Sequence, residues 1–341
     1  MKLVGTVPVI IFMLVTGARA GGTDSRWFAL VSQGQQLQSQ GRLTEAEGVL
    51  TRALAEAERF GKDSPQVAAV LDNLANVEVD LAHYLEAERQ YRRSVAILEG
   101  TYGHDDLNTV AVLHDLAMMY LEVGDYEKAR PALERVLDTR LKVGADPSRM
   151  AQVIMDLGSA YALENKHDTA EQMYLRALAI LESHPGLGGS QVAAVLYDLA
   201  CSLACSGKYT EALGDAERSR DLLQKADAPE TDWVPLLSLL GILYARTGHP
   251  ADAAAYARRA LKTAENAYGP DHPRVASVLL RDAVAWRVLK HGKEANSMEK
   301  RARQILAKNG QENPLDYTVD ANALGSKGRR AKDSAAAFGA K

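Results

Sequence analysis

The chain has 341 residues, 47% of them hydrophobic, only 6% aromatic and 25% charged, with a formal net charge of −4 and two cysteines. The mildly acidic balance excludes a general attraction for nucleic acid, because phosphate binding rests on clustered Lys and Arg. Two cysteines cannot build a disulfide framework.

The N-terminus combines Met1-Lys2, an apolar run from Leu3 to Val15, and small residues at Ala18 and Ala20. Those are the three parts of a secretory signal, with cleavage expected after Ala20 and residues 1–20 removed. The run falls short of the roughly 20 apolar residues that span a bilayer, and Gly5 and Pro8 weaken it further. No later stretch is apolar for longer, so the mature chain is expected to be exported, periplasmic or secreted, without a transmembrane segment. Losing Lys2 and Arg19 but no acid would take the charge from −4 to −6.

Beyond the signal, Ala46, Ala87, Ala129, Ala170, Ala212, Ala253 and Ala295 recur at intervals of 41 or 42 residues. A fixed period of this length marks a helical repeat array. In the second unit Val67, Val70, Leu71, Leu74 and Ala75 follow the spacing of one helical face. Seven residues after the small residue of that face stands Gly41, Gly124, Gly207 or Gly248, with Asn165 in the fourth unit. Glycine, then asparagine, tolerates the left-handed backbone that closes a helix. Ala82 and Lys290 depart from that pattern, and Asp282 replaces the leucine found at Leu74, Leu116, Leu157, Leu199 and Leu240. A second helix follows each turn and carries the periodic alanine. Ser64-Pro65 and Asp146-Pro147 provide an N-cap followed by proline, which restarts a hairpin. Pro131 falls early in its helix, where a mild kink is expected. The linker Lys225 to Trp233 reads as a bend, with Trp233 exposed.

The pattern of Ala117, Tyr120, Gly124, Tyr126 and Ala129, and of Gly241, Tyr244, Gly248 and Ala253, resembles the tetratricopeptide repeat. The period and the linker Tyr268-Gly-Pro-Asp-His-Pro-Arg-Val-Ala276 are similar to the kinesin-light-chain type of that repeat. The resemblance covers residues 24–308 and implies an all-α, right-handed superhelical solenoid of about seven helix-turn-helix repeats. Such an array is read as one continuous domain, because each repeat needs only its neighbours. No heptad coiled coil accompanies it, which opposes a motor-adaptor role.

The resemblance also implies a concave groove lined by the first helix of each repeat. Its lining positions are Asp72, Asn73 and Asn76, then His114, Asp115 and Met118. Next come Met155, Asp156 and Ser159, then Tyr197 and Asp198, and finally Arg246, Arg281 and Arg287. Asn73, Asp115, Asp156 and Asp198 share one register in four successive units. They read either as a ladder for backbone amides and cationic side chains of a peptide, or as a solvated acidic face. Met118, Met155 and Tyr197 would add apolar contact, and the sign changes to basic at the C-terminal end. The basic clamp of chaperone-binding repeats is missing from the N-terminal units.

No phosphate loop, nucleophile elbow or His-Glu-x-x-His occurs, so no catalytic residue is nominated and no cofactor or metal is expected. Cys201 and Cys205 share one helix four residues apart, a poor geometry for a bridge, and read as packing thiols. Residues 309–341 carry few large apolar side chains and a basic cluster at Lys327, Arg329, Arg330 and Lys332. That composition predicts a disordered tail, either simply solvated or folded back into the acidic groove.

The expected function is therefore a non-catalytic protein-interaction scaffold with a protein or peptide partner in the groove. An envelope assembly component working through outer edges is the alternative, and a thiol-redox accessory protein a third.

Overall fold

The computed structural model describes residues 26–312 except 145, 185 and 187. The expected signal at 1–20 and residues 313–341 of the expected tail lie outside them. Fourteen α-helices form seven hairpins, and no strand occurs among the described residues. They fall into two compact units that divide between residues 145 and 146, not in the linker Lys225–Trp233.

The first unit pairs α1 (Arg26–Ser39) with α2 (Leu43–Ala57), α3 (Pro65–Asp80) with α4 (Tyr84–Tyr102), and α5 (Leu107–Val123) with α6 (Tyr126–Lys142). The second pairs α7 (Pro147–Leu163) with α8 (His167–Glu182), and α9 (Gly189–Cys205) with α10 (Tyr209–Lys225). It continues with α11 (Glu230–Arg246) and α12 (Pro250–Tyr268), then α13 (Pro273–Val288) and α14 (Gly292–Glu312). Helix α14 thus runs past the array end expected near Lys308. Helix α6 is continuous through Pro131.

The hairpin turns share one construction. Gly41, Ala82, Gly124, Asn165, Gly207, Gly248 and Lys290 all have φ between 60° and 84°. The amide that follows each donates back to the carbonyl five residues earlier, from Arg42 to Leu37 at 3.0 Å through His291 to Trp286 at 2.9 Å. This closure satisfies carbonyls that a helix end leaves orphaned. Ala82 and Lys290 adopt it without the help of glycine. The expected N-caps form as well: Ser64 accepts from the Val67 amide, and Asp146 from the Arg149 amide, with Pro65 and Pro147 in the first helical turn.

All seven periodic alanines are 0% exposed. Each sits where the second helix meets the first, and the facing position on the first helix is also small. Gly34, Ala75, Ala117, Gly158, Ala200, Gly241 and Ala283 hold it. Small residues on both sides let the two backbones approach, and leucine and valine from neighbouring hairpins fill the remaining core. Trp233 does not stand free: it is half-buried against Val234, Val275 and Leu279, donates from its indole to the Ala228 carbonyl at 3.2 Å, and lies under Arg259.

Candidate functional site

Two residues before the small position, the first helices carry Asn73, Asp115, Asp156, Asp198, Leu239 and Arg281 in turn. One residue earlier stand Asp72, His114, Met155, Tyr197, Ser238 and Leu280. These side chains are less exposed than a solvated face requires. Asp72, Asp115 and Asp156 are 2%, 7% and 1% exposed, and Asn73 and Met155 are also buried. Asn76, His114, Met118, Ser159, Tyr197, Asp198, Arg246 and Arg281 are partly buried, and Arg287 alone of the expected set is exposed.

In the first unit the polar row ties successive first helices together. Gln35 of α1 donates to Asn73 Oδ1 at 2.7 Å, while the Asn73 amide donates to the Ala69 carbonyl at 2.7 Å. Gln38 of α1 donates to Asp80 at 2.8 Å. Asn76 donates to the Asp72 carbonyl and accepts from the Tyr91 hydroxyl at 2.9 Å. Burial, and secondarily the charge of Asp115, push the Asp72 carboxyl well above the carboxylate range, and Asp72 Oδ1 has no hydrogen-bond partner. Burial raises Asp115 to about 6, against the opposing pull of His114, the Asn76 amide and Arg140. A carboxyl taken from water without full compensation holds its proton more tightly.

The second unit repeats the arrangement with different partners. Gln152 donates to Asp156 Oδ1 at 3.0 Å. Tyr174 donates to Ser159 at 3.2 Å, the counterpart of Tyr91 on Asn76, and Ser159 donates to the Met155 carbonyl. Burial and then Asp156 raise Asp198 to about 7. The basic end expected from Arg246, Arg281 and Arg287 is largely spent inside the fold. Arg246 lies over the Tyr209 ring at 5.1 Å, and Arg287 pairs with Glu299 at 2.6 Å. Arg281 donates to the Tyr197 hydroxyl at 3.3 Å.

Other chemistry is weakly represented. Both cysteines are free, and burial pushes the Cys201 thiol up to about 12 and raises Cys205, so neither is an activated thiolate. No group of three potential metal ligands occurs among the described residues, and none of their helices is long and apolar enough to cross a membrane. A cleft of about 480 Å³ opens between α4, α5 and α6, with Val95, Leu113, Leu116 and Pro131 in its walls and Arg92, Lys128 and Arg135 at its rim. The sequence reading missed it, although Pro131 marks one wall. Asp282 breaks the leucine pattern in the sequence, and the fold buries it completely.

Comparison with known proteins follows the same geometry. Residues 28–100, 84–142 and 149–225 match one family model described as tetratricopeptide repeat, and residues 236–274 match a second with the same description. Together these segments make up well over half of the chain. None of the curated proteins matches it. Among solved structures, the chain is similar to apo RapI, with a TM-score of 0.68 and 16% identity over 83% of this chain and 99% of that one. It is similar to a kinesin-light-chain protein of Podosopora anserina with nearly identical TPR-like repeats, with a TM-score of 0.54 and 22% identity over 61% and 99%. A Rap protein complexed with Competence and Sporulation Factor matches with a TM-score of 0.54 and 13% identity over 91% and 98%. At these identities the likeness concerns the fold.

Proposed function

Since the chain belongs to the tetratricopeptide repeat family, we propose that it is a non-catalytic scaffold whose first-helix face binds a peptide or protein partner bearing cationic side chains. The observation that carries this reading is the pair Asp156 and Asp198 of the second unit, with Asp115 at the same register of its own hairpin in the first. These carboxyls share one register and are shielded from water, and two of them titrate far above an ordinary aspartate. An entering ammonium or guanidinium would add positive charge beside them, and desolvation already borne by the free protein would not be borne again on binding. The complex of a Rap protein with its factor is a precedent for ligand binding by this fold.

Export belongs to the same proposal and rests on the pattern of Met1 to Ala20. Finding Gly21 as the first residue of the mature protein in the periplasm or medium is the expected result. Full-length chain in the cytoplasm would remove export from the reading.

The binding test compares mature protein with an Asp115→Asn, Asp156→Asn, Asp198→Asn variant in affinity capture from the native compartment. Asparagine keeps the shape of these buried side chains, whereas lysine would have to be forced into the packing. Partners held by the wild type and lost by the variant are expected. Equal capture would move the site to the cleft between α4, α5 and α6, the one observation that favours docking through an outer edge. In that case Leu113→Lys should abolish capture.

A further inference from the structure

The bond between Arg281 and Tyr197 spans 84 residues, from α13 back to α9. Repeat arrays are built from contacts between adjacent hairpins, and this bond passes over the sixth hairpin altogether. The register explains why. Arg281 occupies the position that Asp156 and Asp198 hold in their own hairpins, and the residue between them in that row is Leu239, which is buried and offers no polar atom. The guanidinium therefore reaches back to the next polar group along the face.

Its seat there is poorly matched. A guanidinium carries five donors, yet Arg281 donates to one phenol oxygen, at the long distance of 3.3 Å. It forms no ion pair among the described residues, although it is half-buried. Buried charges are ordinarily paired, and the nearby acid Asp282 does not bond it. The proximity is nevertheless close enough for its positive charge to stabilise the ionised forms of Tyr197 and Cys201.

We propose that Arg281 is a resident stand-in for a partner's arginine: it occupies the seat beside Tyr197 and Asp198 that a cationic side chain of a basic peptide takes on binding. The inference rests on the cation-binding reading of the first-helix face and adds a defined subsite and an intramolecular competitor. The incoming side chain displaces Arg281 from the Tyr197 hydroxyl and gains the Asp198 carboxylate that Arg281 does not reach. A subsite occupied nine-tenths of the time by its own arginine binds about tenfold more weakly than an empty one.

The test is anisotropy titration of a fluorescein-labelled hexa-arginine peptide with the full mature chain. Variants are Arg281→Ala, Tyr197→Phe, the two combined, and Lys262→Ala as a charge control on the exposed side of α12. Each is first checked for unchanged helicity and thermal midpoint. Arg281→Ala is expected to tighten binding about tenfold, Lys262→Ala to leave it within about twofold, and Tyr197→Phe to cancel most of the gain in the double variant. Equal affinity in wild type and Arg281→Ala overturns the stand-in, as does a gain that survives Tyr197→Phe or is matched by Lys262→Ala. Peptide binding that is lost in the triple Asp→Asn variant but indifferent to Arg281 overturns the stand-in alone. Absence of binding in every form overturns the cation-binding reading together with it.

Discussion

Tyr174 lies across Gly158 so closely that a Cβ on the glycine would stand 2.7 Å from the ring's Cε1. The contact seats the Tyr174 hydroxyl on Ser159 and thereby fixes one polar link of the first-helix face. Gly158→Ala should destabilise the protein by about 1–3 kcal/mol, the usual consequence of overpacking. Gly48→Ala should do the opposite. That glycine is exposed in the middle of α2 with nothing near its missing Cβ, so alanine should add about 0.5–1 kcal/mol through helix propensity. Urea unfolding of the two variants against wild type reads both signs in one series.

Ala82 and Lys290 hold the left-handed turn position at φ of 61° and 63°, where five other hairpins have glycine or asparagine. A side chain costs about 1–2 kcal/mol in that region. Ala82→Gly and Lys290→Gly should each stabilise by about 1 kcal/mol, less whatever the freer unfolded chain gives back. Thermal unfolding that shifts downward in both would show that the turn is not held in the left-handed region in solution.

The hairpins were readable because one physical demand, close approach of two helices, leaves the same trace every 41 or 42 residues. The turn at Lys290 shows the limit of residue-by-residue reading: no propensity favours lysine there, and only the period located it. The shared register of Asp115, Asp156 and Asp198 is legible in the sequence, whereas their burial is not. An aspartate two residues before a packing position looks solvated in a helix taken alone. Its shielding comes from side chains such as Tyr91 and Tyr174, which arrive from the second helices. Arg287 and Arg246 illustrate the same gap, since Glu299 consumes the first from the partner helix of its hairpin and Tyr209 the second from the preceding hairpin. Nothing local announced that Arg281 would reach Tyr197.

Asp282 is 0% exposed, with both carboxyl oxygens lacking a hydrogen bond; the adjacent Ser238 hydroxyl and Arg281 relieve it only in part. Burial raises it to about 8 from an ordinary 3.8. The folded state therefore holds this proton more tightly than the unfolded chain, so the contribution is fully present below about pH 4 and is lost as pH rises towards 8. Asp198, raised to about 7, acts in the same direction. The thermal midpoint should fall by at least about 2 °C between pH 5 and pH 8. Asp282→Leu restores the residue type that the second to sixth hairpins carry at this position. It should raise the midpoint most at pH 8 and flatten the slope. A midpoint that climbs steadily over the same interval, with no change in slope on substitution, would contradict the buried neutral acid.

Cys201 should be nearly silent towards thiol reagents. With its thiol raised to about 12, the thiolate fraction at pH 8 is about one in ten thousand. Labelling of native protein should proceed orders of magnitude more slowly than in denaturant, with the less buried Cys205 reacting first. Rapid modification of Cys201 in the folded chain would revive a thiol-redox role.

The seven alanines without exposed surface also bear on mechanics. At the periodic alanine only a methyl group stands between the helices, and close by larger side chains lock into the facing small positions, Leu50 over Gly34 and Tyr174 over Gly158. Sliding within a hairpin would drive these side chains out of their seats, so each pair is a stiff strut. Compliance is left to the joints between struts, where leucines and valines can exchange neighbours. A ligand pressing on the first helices would therefore meet rigid pieces that pivot rather than helices that bend.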